Sequence, residues 1–301
     1  MTQFGYRTLG FGSGGGAAPY EVEWLVIAGG GSGSDWTACG GGGAGGYRIK
    51  YASETSGGGT NTESVLSLSP GTQYTITVGA GGVAPASGIG LPGEDSSISG
   101  ADITTITSIG GGTGTYINDN TGVDGGSGGG GAGISGMQTP GSGTANQGYD
   151  GGTAVDTGHY NGAGGGGATA VGGSGTVGSG GNSGAGGDGL ASSITASSVA
   201  RGGGGGGGTY NGTPGAGGLG GGGVGAASGG NTAGSGTANT GGGGGSTDGT
   251  AGSGGSGVVI LRMADANYSG TTTGSPTIAQ NQGDGSDETI ITFNDDGTYT
   301  G

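Results

Sequence analysis

The chain has 301 residues, of which 97 are glycine, and 20 acidic against 5 basic side chains give it a formal net charge of −15. Ordinary soluble proteins carry about 7% glycine, so this chain lacks the side chains from which an apolar core is built. A broken glycine period and only 7 prolines exclude a collagen triple helix, the acidity excludes binding nucleic acid through its phosphates, and the lone Cys39 excludes an internal disulfide.

The first segment, residues 1–19, groups Phe4, Tyr6, Leu9 and Phe11 ahead of a glycine run. It reads either as a peptide that attaches the chain to another protein or as a frayed terminus. No cationic stretch followed by an apolar one marks a signal peptide, and no apolar run approaches the ~20 residues of a membrane span, so membrane insertion is not expected. From Tyr20, the alternation of Val22, Trp24 and Val26 predicts a strand. Tyr47–Tyr51 predicts another. Val65–Leu68 and Tyr74–Val78 flank Ser69-Pro70-Gly71-Thr72, which predicts a tight hairpin. Short strands are further expected at 96–99, 103–109, 192–195 and 258–263, and a terminal hairpin from Thr289–Phe293 and Thr298–Thr300 that completes the layer containing Trp24, either in its own subunit or in a neighbour. No segment carries a capped helical period.

Glycine blocks at 125–136, 162–167, 172–189, 202–208, 215–230 and 241–257 separate these strands. A threefold extended helix rises about 3.1 Å per residue, so the blocks make rods of comparable length. Each peptide group of such a rod points sideways and must bond an adjacent rod. The competing reading is a flexible glycine linker, but charged residues are only 8% of the chain, whereas disordered chains depend on charge for solvation. The expected fold class is therefore all-β with a polyglycine II helix bundle: short antiparallel, sandwich-like strands plus stacked glycine-rich helices, without α-helix. Its segments are the N-terminal peptide 1–19, a β-rich part 20–110, the bundle with connector loops and closing strand 111–263, and a linker with hairpin 264–301.

Connectors at 116–124, 137–161, 209–214 and 231–239 contain partial repeats. Gly141-Ser142-Gly143-Thr144-Ala145-Asn146 recurs at 234–239, and Thr209-Tyr210-Asn211-Gly212 echoes His159-Tyr160-Asn161-Gly162. Tyr116, Tyr149, His159, Tyr160, Tyr210 and Asn211 thus become candidate receptor-binding residues, because aromatic and amide groups on loops held by a rigid scaffold suit flat contacts. The alternative is that the tyrosines fold back over the bundle ends.

Catalytic machinery is not expected. His159 is the only histidine and sits in a glycine- and asparagine-rich connector; Lys50 follows no phosphate-loop pattern. Asn118–Asp124 offers oxygen ligands without a complete calcium loop, and 184–190 matches a calcium repeat only once, so no metal and no cofactor is expected.

The run Val22–Gly31, then Gly40–Arg48, resembles the glycine-rich domain of phage tail-fibre and other virion proteins. Ser69–Thr72 before Tyr74–Gly82 looks like its hairpin, and Gly255–Arg262 like its closing strand. A looser similarity, in composition and plan, is to the tip adhesins of T-even-like phages, whose polyglycine II sandwich carries receptor-binding loops at one end. The resemblance implies a virion surface protein, assembled in the host cytoplasm and extracellular after release. Its implied partners are other virion proteins through the N-terminal peptide, a host receptor (glycan or outer-membrane protein), and further copies of itself. A purely architectural component, such as a capsid fibre, decoration protein or filament subunit, is the alternative.

Overall fold

The computed structural model describes residues 17–59, 61–116, 122–133, 138–154, 160–177 and 180–301. Thirteen strands are defined among them: β1 (Tyr20–Ile27), β2 (Tyr47–Lys50), β3 (Leu66–Leu68), β4 (Gln73–Thr77), β5 (Ser96–Gly100), β6 (Ile106–Ser108), β7 (Leu190–Ser192), β8 (Val199–Arg201), β9 (Val258–Ala264), β10 (Thr271–Thr273), β11 (Thr277–Gln282), β12 (Glu288–Phe293) and β13 (Gly297–Thr300). One 3₁₀ turn, Asp265–Asn267, follows β9, and no α-helix occurs among the described residues. The all-β class read from the sequence is the class observed.

Two antiparallel sheets form a sandwich. The first runs β11-β12-β9-β1-β2, with β3 pairing the start of β1; the second runs β10-β13-β4-β5-β6. Alternation along β1 sends Val22, Trp24 and Val26 into the core between the sheets, where they meet Tyr74, Ile76, Ile98, Phe293 and Tyr299. Leu25 and Ile27 point the other way, onto Tyr47, Ile49, Ile194 and Ile260. Much of the first sheet is thus buried on both faces, its outer one covered in part by Ala168 and by Leu190 and Ile194 of the β7–β8 region.

Two expected hairpins are corners instead. β3 bonds β1, whereas β4 bonds β5 and β13, so Ser69–Thr72 carries the chain from one sheet to the other. At the C-terminus β12 joins β9 and β13 joins β4, so 289–300 is likewise split between the sheets. The same bend serves a hairpin or a corner, and the buried faces decide: Leu66 and Leu68 look into the shared core from one side, Tyr74 and Ile76 from the other. Placement of the terminal segment in the layer of Trp24 holds for β12, through β9.

Between strands the chain runs out from the sheets and back through the glycine blocks, and its backbone bonds recur every third residue. Gly40 and Gly43 donate to Thr115 and Gly112, Gly41 and Ala44 to Ala163 and Gly166, Gly42 and Gly45 to Gly244 and Gly241. Residues 203–208 repeat the pattern: Gly203 and Gly206 bond 220 and 223, Gly204 and Gly207 bond 187 and 184, Gly205 and Gly208 bond 42 and 39. Each rod therefore satisfies its peptide groups on several neighbours, as the polar accounting requires. The stretches 28–46 and 79–95, grouped by sequence with the β-rich segment, bond into the same lattice: Gly30 donates to Gly255 and Gly254 to Gly82.

The lattice admits almost no side chain. A Cβ on Gly205 would fall against the carbonyl oxygen of Gly244, and one on Gly42 against those of Gly31 and Ser32. What non-glycine residues the interior does hold are small, such as Ala44, Ala163, Ser32 and Ser127, all fully buried.

Candidate functional site

The ends of the lattice differ in kind. Turns next to the sheets include the repeated Gly-Ser-Gly-Thr-Ala-Asn, whose Asn146 and Asn239 both take a left-handed conformation, φ 62° and 61°. Asparagine tolerates that region better than most residues, so the repeat encodes one turn used twice. The opposite end collects the far ends of rods 28–35, 109–116, 202–209 and 241–247.

Aromatic side chains gather at that far tip. Trp36 meets Tyr116 edge to face with centroids 6.3 Å apart, and Tyr160 meets Tyr210 likewise at 6.0 Å. Trp36, Thr37, Tyr160 and Tyr210 line one open cleft of about 250 Å³. Trp36 is 47% exposed, Tyr210 49% and Tyr160 38%, so the rings are presented to solvent. The backbone fixes them: Tyr210 donates to the carbonyl of Tyr160, and Asn161 accepts from the Thr209 hydroxyl at 2.8 Å while its amide caps Thr176. Tyr160 itself holds φ at 51°, a left-handed conformation that costs a bulky residue energy and concentrates at functional sites.

The tip carries acid without base. Asp35 is buried, and Asp248 accepts from Thr37 at 3.3 Å and from the Gly229 amide at 2.9 Å. The arginines and lysine of the described residues, Arg48, Lys50, Arg201 and Arg262, all belong to β2, β8 and β9. Burial first, and the Asp248 charge second, push the Asp35 carboxyl above its usual range. A carboxyl whose folded pKa is raised binds its proton more tightly in the native state. Stability is therefore gained as pH falls through the folded value, and the gain is complete below the unfolded value near ~3.9. Thermal melts between neutral and mildly acidic pH should show this gain in the native chain and its loss in Asp35→Asn.

Of the sequence candidates, the structure brings Tyr116, Tyr160 and Tyr210 to the tip, with exposed Asn211 beside them. Tyr149 is a correction. It follows Gln147, whose carbonyl receives the first N–H of β2, and so lies at the sheet end, its own backbone bonded to Gly167 and Gly128. The connector that contains it has described residues at both ends of the lattice, Asn146 beside the sheets and Tyr160 at the tip, which composition alone does not show. His159 and the attachment candidates Phe4, Tyr6, Leu9 and Phe11 lie outside the described residues. Trp36 was missed by sequence reasoning. The signal was the interruption Asp35-Trp36-Thr37-Ala38-Cys39 between two glycine runs.

A family model described as a glycine-rich domain matches residues 13–264. The chain belongs to this glycine-rich domain family. No curated protein matches it. The glycine-rich domain spans every rod and strands β1 to β9, and the tip aromatics fall inside it; β10 to β13 lie beyond its end. No helix among the described residues is long and apolar enough to cross a membrane.

Proposed function

We propose that the chain is a virion structural protein of bacteriophage tail-fibre type, a tip adhesin whose far loops bind a receptor on the host surface. The observation that carries this reading is the group of exposed rings Trp36, Tyr160 and Tyr210 around one cleft at the end of the lattice, with half-buried Tyr116 edge to face on Trp36. Their neighbours Asp35 and Asp248 favour hydroxyl, amide or cationic partners over phosphate. The rods act as polyglycine II helices, stiff because peptide groups rather than side chains hold them, so loops can change without disturbing a packed interior. Function here is rigid display, with no catalytic step and no cofactor. Attachment to other virion proteins runs through the N-terminal peptide, and the working location is the virion surface.

Binding of purified protein to host cells tests this directly. Trp36→Ala combined with Tyr210→Ala should abolish binding while leaving the melting temperature within about 2 °C, since half-exposed rings contribute little to stability. Equal binding by the double variant would remove the tip as the receptor site. Absence of binding by the native chain would assign it the architectural role instead.

A further inference from the structure

A second cleft, of about 690 Å³, lies at the opposite end of the molecule on the outer face of the first sheet. Its floor is a row of side chains on three adjacent strands. Glu23 of β1 is paired in register with Arg262 of β9, and Glu288 of β12 bonds that arginine. Its walls are Tyr51 and Ala52, the turn Ser193–Ala196, and the loop 281–285. The volume falls within the about 300–1,000 Å³ of small-molecule sites.

The chemistry narrows the ligand. Arg262 is only 4% exposed and its nitrogens are all engaged: Nη2 with Glu288 at 2.5 Å, Nε with the same carboxylate, Nη1 with the carbonyl of Ile194 at 3.0 Å. With no free cation, the cleft offers nothing to a phosphate or sulfate. Among the described residues no group of three or more acids, histidines or cysteines is arranged to hold a metal ion. Only Ala52 and Ala196 are aliphatic, too few for a hydrocarbon ligand. What remains is an aromatic ring, two amides, a serine hydroxyl and carboxylates. The Tyr51 ring is held by Arg262 stacked at 4.8 Å, Asn281 is an exposed lining residue, Asp284 is exposed with no hydrogen bond or ion pair to a described residue, and Glu23 uses one oxygen on the Ala52 amide.

The loop that supplies the amides and the free acid is shaped at a cost. Asn281, Gly283 and Ser286 all have positive φ, 56°, 80° and 52°, the first within the register shift between Ala279 and Gln282 and the others just after it. Bulges and left-handed residues of this kind re-aim side chains beside binding sites. The loop also lies beyond residue 264, so it is an addition to the glycine-rich domain rather than part of it.

We propose that this cleft binds a saccharide, neutral or amine-bearing, with a sugar face against Tyr51 and its hydroxyls on Asp284, Asn281 and Glu23. Carboxylates and amides accept from and donate to ring hydroxyls, and an aromatic side chain offers an apolar surface with a polar tip. This site is separate from the tip and stands whether or not the tip binds a receptor.

The test is saturation-transfer and chemical-shift NMR on the full chain with glucose, galactose, N-acetylglucosamine, glucosamine and lactose at millimolar concentration. At least one should bind, with shifts centred on Tyr51 and residues 281–285. Asp284→Asn should weaken that binding about tenfold, the loss of one hydrogen bond to a charged group, without changing the melting temperature. Trp36→Ala should leave it intact. No binding by any of the five sugars, shifts centred on the tip, unchanged affinity in Asp284→Asn, or the same shifts produced by calcium chloride alone would each overturn the proposal.

Discussion

Deletion of residues 286–301 is expected to give a chain that does not fold. The segment lies beyond the glycine-rich domain, yet β12 and β13 each occupy an interior position, one in each sheet. Ile290, Ile291, Phe293 and Tyr299 are at most 4% exposed, and without them Val259, Leu261, Tyr74 and Ile76 lose their cover. At about 2 kcal/mol for each large side chain, the four contribute roughly 8 kcal/mol, which lies within the whole stability range of an ordinary domain. The rest of the chain has little to offset the loss, because most of it is glycine lattice. Soluble yield and a far-ultraviolet melt of the truncated protein decide the matter; a native-like transition would mean the two sheets close without their C-terminal strands.

The second large effect lies in the lattice. Gly205→Ala and Gly42→Ala each place a methyl group against the carbonyl oxygen of a neighbouring rod. Those rods cannot retreat, since Gly205 also donates to Gly42, and Gly42 donates to Gly244. Each substitution should therefore cost about 3 kcal/mol or more, the upper end of core overpacking. Leu219→Ala is the matched control: Leu219 is 71% exposed, and its loss should move the melting temperature by less than 2 °C or so. If the glycine variants melt with the control, the rods are not in close contact, and amide exchange across 202–208 should then be fast.

Much of the sheet architecture was legible in the sequence, because a period of two is a local signal. Val22, Trp24 and Val26 announced β1, and Val258–Met263 announced β9. What escaped was which strand pairs with which. Pro70-Gly71 makes an equally good bend for a hairpin or for a corner, and only the opposing faces of Leu68 and Tyr74 across the sandwich select the corner. The tip was legible in part. Tyr160 and Tyr210 stood out as an echoed pair, and the structure sets their rings against each other. Trp36 was hidden by its short interruption of a glycine run, and Tyr149 shared a connector with true tip residues. Telling the two ends apart needed the left-handed asparagines, whose meaning appears only once the rods have a direction.

The hydroxyls of Tyr20 and Tyr299, 279 residues apart, meet at 2.8 Å, and β1 takes β9 as a neighbour. Contacts of such long sequence separation reward the chain only after nearly all of it has been synthesised. A nascent fragment on the ribosome gains little by ordering early, and the rods at 28–35 and 40–46 likewise wait for partners encoded far downstream, at 241–255 and 163–166. Folding should accordingly be late, slow and cooperative, with the last strands acting as the closing step that commits the whole length at once.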